Sequence, residues 1–136
     1  MLLKDIVDLA EMKIDPTTRR PLIAGAKRKI SDVDKRSLEE AIRLKEKHVC
    51  EVITVSMGDE RTRTTLLEAL AMGADAAYIV NDRAFLGVDT FVTSLVLAAA
   101  VRKLNNFDVI LCGEMTLDGL SSQIGPRLAE LLDLPQ

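Results

Sequence analysis

The sequence predicts an α/β domain, a doubly wound parallel sheet with helices on both faces, and three observations predict it. Short apolar runs recur along the chain: Cys50 to Ser56 (CEVITVS), Asp75 to Val80 (DAAYIV) and Phe107 to Cys112 (FDVILC). Runs of this length and β-branched content suit parallel strands, buried on both faces. Between them lie longer segments whose apolar residues recur at helical spacing. Strands separated by helices call for right-handed crossovers and hence a parallel sheet.

The elements follow in order. Met1 to Val7 reads as the tail of a strand, with only Leu2 and Leu3 ahead of Lys4. Glu11 to Ala24 reads as a small hairpin excursion near the N-terminus, in which Met12 and Ile14 alternate with polar residues, Asp15-Pro16-Thr17-Thr18 turns and Leu22-Ile23 returns. Ser31 and Asp32 offer an N-cap for a helix to about His48, with an inner stripe of Leu38, Ala41, Ile42 and the stem of Lys45. Glu39 and Glu40 precede Arg43 and Lys45 on its solvated face. After the CEVITVS strand, Met57-Gly58-Asp59 turns and Asp59 caps a helix to about Met72, which Gly73 ends. After DAAYIV, a loop from Asn81 to Asp89 leads to an apolar helix starting at Asp89 or Thr90 and running to about Leu104, its face carrying Phe91, Leu95, Ala98 and Val101. Asn105-Asn106 breaks it before the last strand. Ile124, Leu128, Leu131 and Leu132 then mark a final helix. Pro126 must lie in its first turn, so it starts near Ser121 to Gln123, with Asp118, Ser121 and Ser122 placed to cap it.

Composition narrows the function. The 136 residues are read as one domain, and 48% hydrophobic with 29% charged residues is ordinary for a globular protein. A net charge of −3 argues against a nucleic-acid or anionic-membrane partner, and 3% aromatics with no Trp provides no base-stacking platform. Lys4, Asp5 and Asp8 interrupt any signal peptide, and no apolar run is long enough to span a membrane, so the expected address is the cytoplasm. Cys50 and Cys112 stand alone and read as buried thiols acting as small apolar side chains. His48, the one histidine, reads as a solvated helix end; no metal site is expected.

In doubly wound sheets ligands sit outside the carboxyl ends of the strands. The turns expected there are Lys4 to Asp8, Ser56 to Asp59, Asn81 to Thr90 and Gly113 to Gln123, with Ser31 to Asp34 alongside. The last is the centre of the chain: a strand, a glycine, a polar loop and a helix N-terminus, whose free N–H groups and positive dipole end suit an anion. Neither G-x-G-x-x-G nor a Walker A loop occurs, and the same segment also reads as plain structural connection. G-x-S-x-G is absent and Ser121 and Ser122 have no histidine partner, so the chain is not expected to be a hydrolase.

Several stretches taken together add a family. MKIDPTT, SLEEAIRLKEKH, VITVSMG, LLEALAMGADAAYIVNDRAF and FDVILCGEMTLDGLSSQIGPRLAELLDLPQ resemble the amino-terminal domain of the electron transfer flavoprotein beta subunit, the FixA-like family, over nearly the whole chain. EALAMGAD together with D-G-x-x-x-Q-x-G-P is the specific pair. The resemblance implies a Rossmann-like fold of the adenine nucleotide alpha hydrolase-like type, and residues 1–136 as a single nucleotide-binding domain. It implies an electron carrier rather than a catalyst, paired with an FAD-bearing alpha subunit that relays electrons from dehydrogenases. It also implies AMP in the beta subunit or, as in bifurcating members, a second FAD.

Carried over by position, the nucleotide would meet Leu2, then Ser31, Asp32, Val33 and Asp34, then Met57. It would also meet the loop of Gly113, Glu114, Met115, Thr116, Leu117, Asp118, Gly119, Leu120, Ser121, Ser122, Gln123 and Ile124. Asp118 is expected to hydrogen-bond and the Ser121 to Ile124 amides to hold phosphate. NDRAFLGVDTFVTS resembles the bifurcating members, and there Thr90 and Thr93 would meet the diphosphate of a second FAD; a capped helix start is the other reading. Departures stand at Ser31-Asp32, where the family has Asn-Pro, and at Glu114-Met115, where it has Arg-Gln or Lys-Gln. Glu114 brings an acid near a phosphate site. The first strand is expected to be cut short at Met1. The family's partner-recognition loop and carboxyl-terminal arm are expected to be missing after Gln136, so docking to a dehydrogenase through that loop is not expected. A stand-alone adenine-nucleotide-binding domain of the universal-stress-protein type, without redox work, is the alternative.

Overall fold

The computed structural model describes residues 1–105 and 107–136. Its elements are β1 (Asp5–Val7), β2 (Lys13–Ile14), β3 (Pro21–Leu22), β4 (Arg28–Ile30), α1 (Asp32–Lys47), β5 (Ile53–Met57), α2 (Thr62–Met72), β6 (Ala76–Val80), a 3-10 turn at Arg83–Phe85, α3 (Thr90–Leu104) and α4 (Ile124–Leu132). The fold is α/β around a parallel pair, β5 with β6, in which Ile53 faces Ala76 and Met57 faces Val80. The first residues extend this pair. Leu2 bridges Val55 in parallel, with Leu3 N donating to Val55 O at 3.0 Å and Val55 N to Met1 O at 2.9 Å. Leu2 N donates in turn to Leu111 O at 2.8 Å, which brings residues 107–112 alongside.

Alternation along these extended segments sorts their side chains to opposite faces. Leu3 and Leu111 join Leu38, Ala41, Leu66 and Ala69 of α1 and α2. Leu2, Ile110, Cys112 and Val55 join Leu97, Ala98, Val101 and Leu128 of α3 and α4. A one-residue slip at Leu2-Leu3 would exchange both sets of contacts.

The expected helices form with their bounds shifted by a residue or two. Ser31 precedes α1 without a side-chain cap bond, and the stripe Asp34, Leu38, Ala41 is buried. Gly73 ends α2 at φ 120°, a left-handed conformation natural to glycine. Asp89 caps α3 by accepting from Val92 N at 2.9 Å. The small hairpin is present as β2 against β3, Lys13 opposite Leu22.

Other expectations need correction. Val7 lies not in a parallel strand tail but in β1, which pairs antiparallel with β4, Asp5 opposite Ile30; the excursion is therefore a longer, two-ladder finger. The segment 107–112 is not a fully buried strand. It receives a backbone bond from Leu2, while Phe107 and Val109 stay 39% and 62% exposed, because only its carboxyl half reaches the two cores. The α3 face is rotated: Ser94, Leu97, Ala98 and Val101 are buried, whereas Phe91 and Leu95 are exposed. Asp59 accepts from Arg61 N and side chain before the helix rather than capping it, since α2 begins only at Thr62. Asp118, Ser121 and Ser122 do not cap α4; its first turn follows Gln123, without a side-chain cap bond. Cys50 is exposed in the connection before β5 and Cys112 only half-buried, so neither is a fully buried thiol. Of the expected Asn105-Asn106 break, Asn105 follows α3 at φ 49° and Asn106 lies outside the described residues.

Candidate functional site

The carboxyl ends of the extended segments and the N-termini of α3 and α4 surround a cavity of about 330 Å³. Its apolar wall includes Leu2, Leu3, Met57, Val88, Leu97 and Ile124; its polar rim includes Lys4, Asp34, Asp89, Thr90, Thr93, Glu114, Thr116, Ser121 and Gln123. One apolar flank beside a rim of polar groups is the usual make-up of a small-molecule site.

Asp34 fixes the floor. Its Oδ2 accepts from the backbone N–H of Lys4 at 2.8 Å and its Oδ1 from that of Gly113 at 2.8 Å. The carboxylate thereby binds the end of the first segment to the start of the 113–123 loop. Burial pushes the Asp34 carboxyl above the ordinary carboxylate range, against the pull of those two amides and of the Lys4 charge. Gly113 is required here, since a Cβ at that position would stand 2.4 Å from Asp34 Oδ1.

The loop then folds over Lys4. Lys4 Nζ donates to Asp118 Oδ1 at 2.8 Å and to Thr116 Oγ1 at 3.3 Å. Partial burial raises the Asp118 pKa, but the bonds from Lys4 and Thr116 outweigh it and hold the carboxyl below the ordinary value. Leu120 and Ser122 both adopt left-handed backbone, at φ 48° and 51°, uncommon for residues with a Cβ.

Two helix starts converge on the cavity. Thr90 Oγ1 donates to Gln123 Oε1 at 2.6 Å and accepts from Arg127 Nη1 at 3.0 Å, tying the start of α3 to the start of α4. Arg127 also lies over the Phe91 ring, 5.8 Å from its centroid. The α4 end has no side-chain cap and Pro126 carries no N–H, so the amides of Ile124 and Gly125 are its free donors. Thr93 Oγ1 donates to Asp89 O at 2.8 Å, so its hydroxyl is engaged within its own helix.

Of the residues proposed from sequence, the cavity brings together Leu2, Asp34, Met57, Thr90, Thr93, Gly113, Glu114, Met115, Thr116, Gly119, Ser121, Gln123 and Ile124. Ser31, Asp32, Val33, Leu117, Asp118, Leu120 and Ser122 lie outside its lining. Ser31 is fully buried and its hydroxyl has no partner among the described residues, and Asp32 is exposed and paired with Lys29 at 3.0 Å. Leu3, Leu97 and Cys112 line the cavity without having been singled out from sequence, whereas Lys4, Val88 and Asp89 fall within the turns expected at the ligand edge, Lys4 to Asp8 and Asn81 to Thr90, without being named there as ligand contacts. The signal for Lys4 was its place directly after an apolar pair, where a strand would leave the sheet.

Comparison with known proteins gives consistent matches. The family model described as "Electron transfer flavoprotein domain" matches residues 22–136. The electron transfer flavoprotein subunit beta of Thermoanaerobacterium thermosaccharolyticum is 44% identical over 136 residues, covering 100% of this chain and 52% of the relative. That of Clostridium acetobutylicum is 42% identical, covering 98% of this chain and 51% of the relative. The caffeyl-CoA reductase-Etf complex subunit CarD of Acetobacterium woodii is 39% identical, covering 97% and 51%. The chain thus spans about half the length of the curated relatives it matches.

Proposed function

The chain belongs to the electron transfer flavoprotein domain family, and from that premise we propose that it is the nucleotide-binding part of a beta-type subunit that relays electrons. The observation that carries the proposal is the convergence of two helix N-termini, joined through Thr90 and Gln123, on one cavity. The uncapped dipole end of α4 and the amides of Ile124 and Gly125 suit a phosphate, and the flank of Leu2, Met57 and Leu97 suits a purine ring. The loop lies over Lys4 at Gly119, where a Cβ would make only ordinary contacts, 3.4 Å from Thr116 Oγ1 and 3.6 Å from Lys4 Nζ. The residues present therefore fit an adenine nucleotide.

AMP is the favoured ligand, with FAD second. A volume of about 330 Å³ is at the small end of ligand sites, which suits a mononucleotide better than a dinucleotide. Bound FAD would supply redox chemistry of its own, whereas bound AMP would supply none. This chain's residues would bind and orient the nucleotide. The Ser121 to Ile124 stretch would hold phosphate, Asp34 would fix the loop, and Asp118 would act through Lys4.

The fold we read as doubly wound and Rossmann-like, with α1 and α2 on one face of the sheet and α3 and α4 on the other, which the two core clusters support. The proposed partner is an FAD-bearing alpha-type subunit, through which electrons arrive from dehydrogenases, and the role is carriage rather than catalysis. The name of the A. woodii relative, a subunit of a reductase-Etf complex, supports work within an assembly. The family match does not favour the stand-alone reading. Among the described residues no helix is long and apolar enough to cross a membrane. The proposed address is the cytoplasm.

The test is direct. Acid-quenched purified protein should release AMP or FAD in near-stoichiometric amount, measured by chromatography of the supernatant. A protein that yields neither and ignores both when added would refute the site.

A further inference from the structure

We infer that Lys4 is a switchable anion contact, able to exchange its bond to Asp118 for one to the phosphate of a nucleotide in the cavity. The inference rests on the nucleotide reading above and extends it to a residue which that reading does not itself use as a ligand contact. Lys4 is the single basic side chain among the described residues lining the cavity, beside the acids Asp34, Asp89 and Glu114. An anion entering such a wall meets mostly negative side chains. Asp34 is occupied by two amides and Asp89 by the cap of α3, while Glu114 is exposed. Main-chain dipoles attract the phosphate; the Arg127 guanidinium is held on Thr90 Oγ1 behind the rim, and Lys4 carries the full positive charge in the lining itself.

That charge is engaged but not sequestered. Lys4 and Asp118 are 47% and 40% exposed at the side chain, so their pair lies in water, where ion pairs are weak and exchange readily. Asp118 itself stays outside the cavity lining, while Lys4 is part of it. A long flexible stem allows Nζ to leave Asp118 and Thr116 and turn inward without backbone movement. Gly119 leaves room for that motion, with nothing but hydrogen where a Cβ would stand 3.6 Å from Nζ. A phosphate offers Lys4 a charge-assisted bond in a drier place than the one it gives up. Asp118 therefore competes with the ligand.

Calorimetric titration of the full chain with AMP and with adenosine separates the possibilities, with thermal melting as a control for folding. Lys4→Met should weaken AMP binding about tenfold, the loss expected for one charge-assisted contact, and leave adenosine binding unchanged. Lys4→Arg should restore most of the loss. Asp118→Asn should strengthen AMP binding, since it frees Lys4. Equal AMP affinity in wild type and Lys4→Met would overturn the switch while leaving the nucleotide site standing. So would a loss in Asp118→Asn as large as in Lys4→Met. A wild-type chain that binds no nucleotide at all would refute the site itself, and the switch with it.

Discussion

The backbone N–H of Gly113 donates to Asp34 Oδ1 at 2.8 Å, and a Cβ on residue 113 would lie 2.4 Å from the same oxygen. The two residues are 79 apart in sequence, yet each prescribes the other. The carboxylate needs a donor to be buried at 5% exposure, and the donor can approach only because it belongs to a glycine. Lys4 N, donating to the other oxygen, makes Asp34 the joint between the first extended segment, α1 and the last loop.

Gly113→Ala should be costly for that reason. The added methyl meets the Asp34 carboxylate, and Asp34 N at 3.0 Å as well, so α1 or the loop must move. Overpacking of this kind costs about 1–3 kcal/mol. Gly119→Ala meets only side-chain ends at 3.4 Å or beyond and should cost less. Urea unfolding midpoints of the two variants would show the order; equal losses would contradict it.

Asp34 also predicts a pH dependence. Burial raises its folded carboxyl above the ordinary value, so on acidification the folded chain takes up this proton before the unfolded chain does. Stability from this group is therefore fully present below the unfolded pKa of about 3.9 and is lost as pH rises through the raised folded value. Asp34→Asn removes that contribution. The difference in unfolding free energy, wild type minus variant, should rise as pH falls through the window and stay flat if Asp34 titrates normally.

The sequence made the helices legible because their signals are local. Asp89 before an apolar stretch, Gly73 after one and Pro126 near a start each fixed a boundary to within a residue or two. The pairing of β1 with β4 was not legible: it joins Val7 to Arg28 across the whole excursion, and charged Arg28 and Lys29 look like loop. Arg28 is met by buried Asp5 across the excursion, and Lys29 by the neighbouring Asp32 at 3.0 Å and by the distant Asp8 at 3.8 Å. Asp5 is further held by Thr62 at 3.1 Å and Thr65 at 2.7 Å. In the candidate site the main-chain features could be anticipated from the glycine and the helix start. Lys4 could be placed at the ligand edge by its turn, but its bonds to Asp118 and Thr116, more than a hundred residues away, carry no local signal.

Thr90→Val should separate stability from binding. The threonine hydroxyl links Gln123 to Arg127, but the group is only half-buried, so losing its bonds should cost about 1 kcal/mol. The two helix starts would no longer be held together, and nucleotide affinity should fall roughly tenfold, a change readable by calorimetry. An unchanged affinity would mean that the alignment of α3 with α4 is irrelevant to the ligand.

Asp75 tests the opposite electrostatic sign from Asp34. The side-chain bond from Lys45 and the amide of Val52, which donates to Asp75 Oδ2 at 2.8 Å, hold its carboxyl below the ordinary value. Asp75 N donates back to Val52 O at 2.8 Å, so the residue sets the entry of β6 against β5 and anchors the end of α1. A depressed folded pKa gives stability that is present above the unfolded value and disappears as pH falls through the folded one. Asp75→Asn keeps the shape but cannot titrate. The variant should be less stable than wild type at neutral pH, and the gap should close on acidification below the ordinary carboxylate range. A gap that stays constant from neutrality down to the acid transition would mean that Asp75 contributes packing alone.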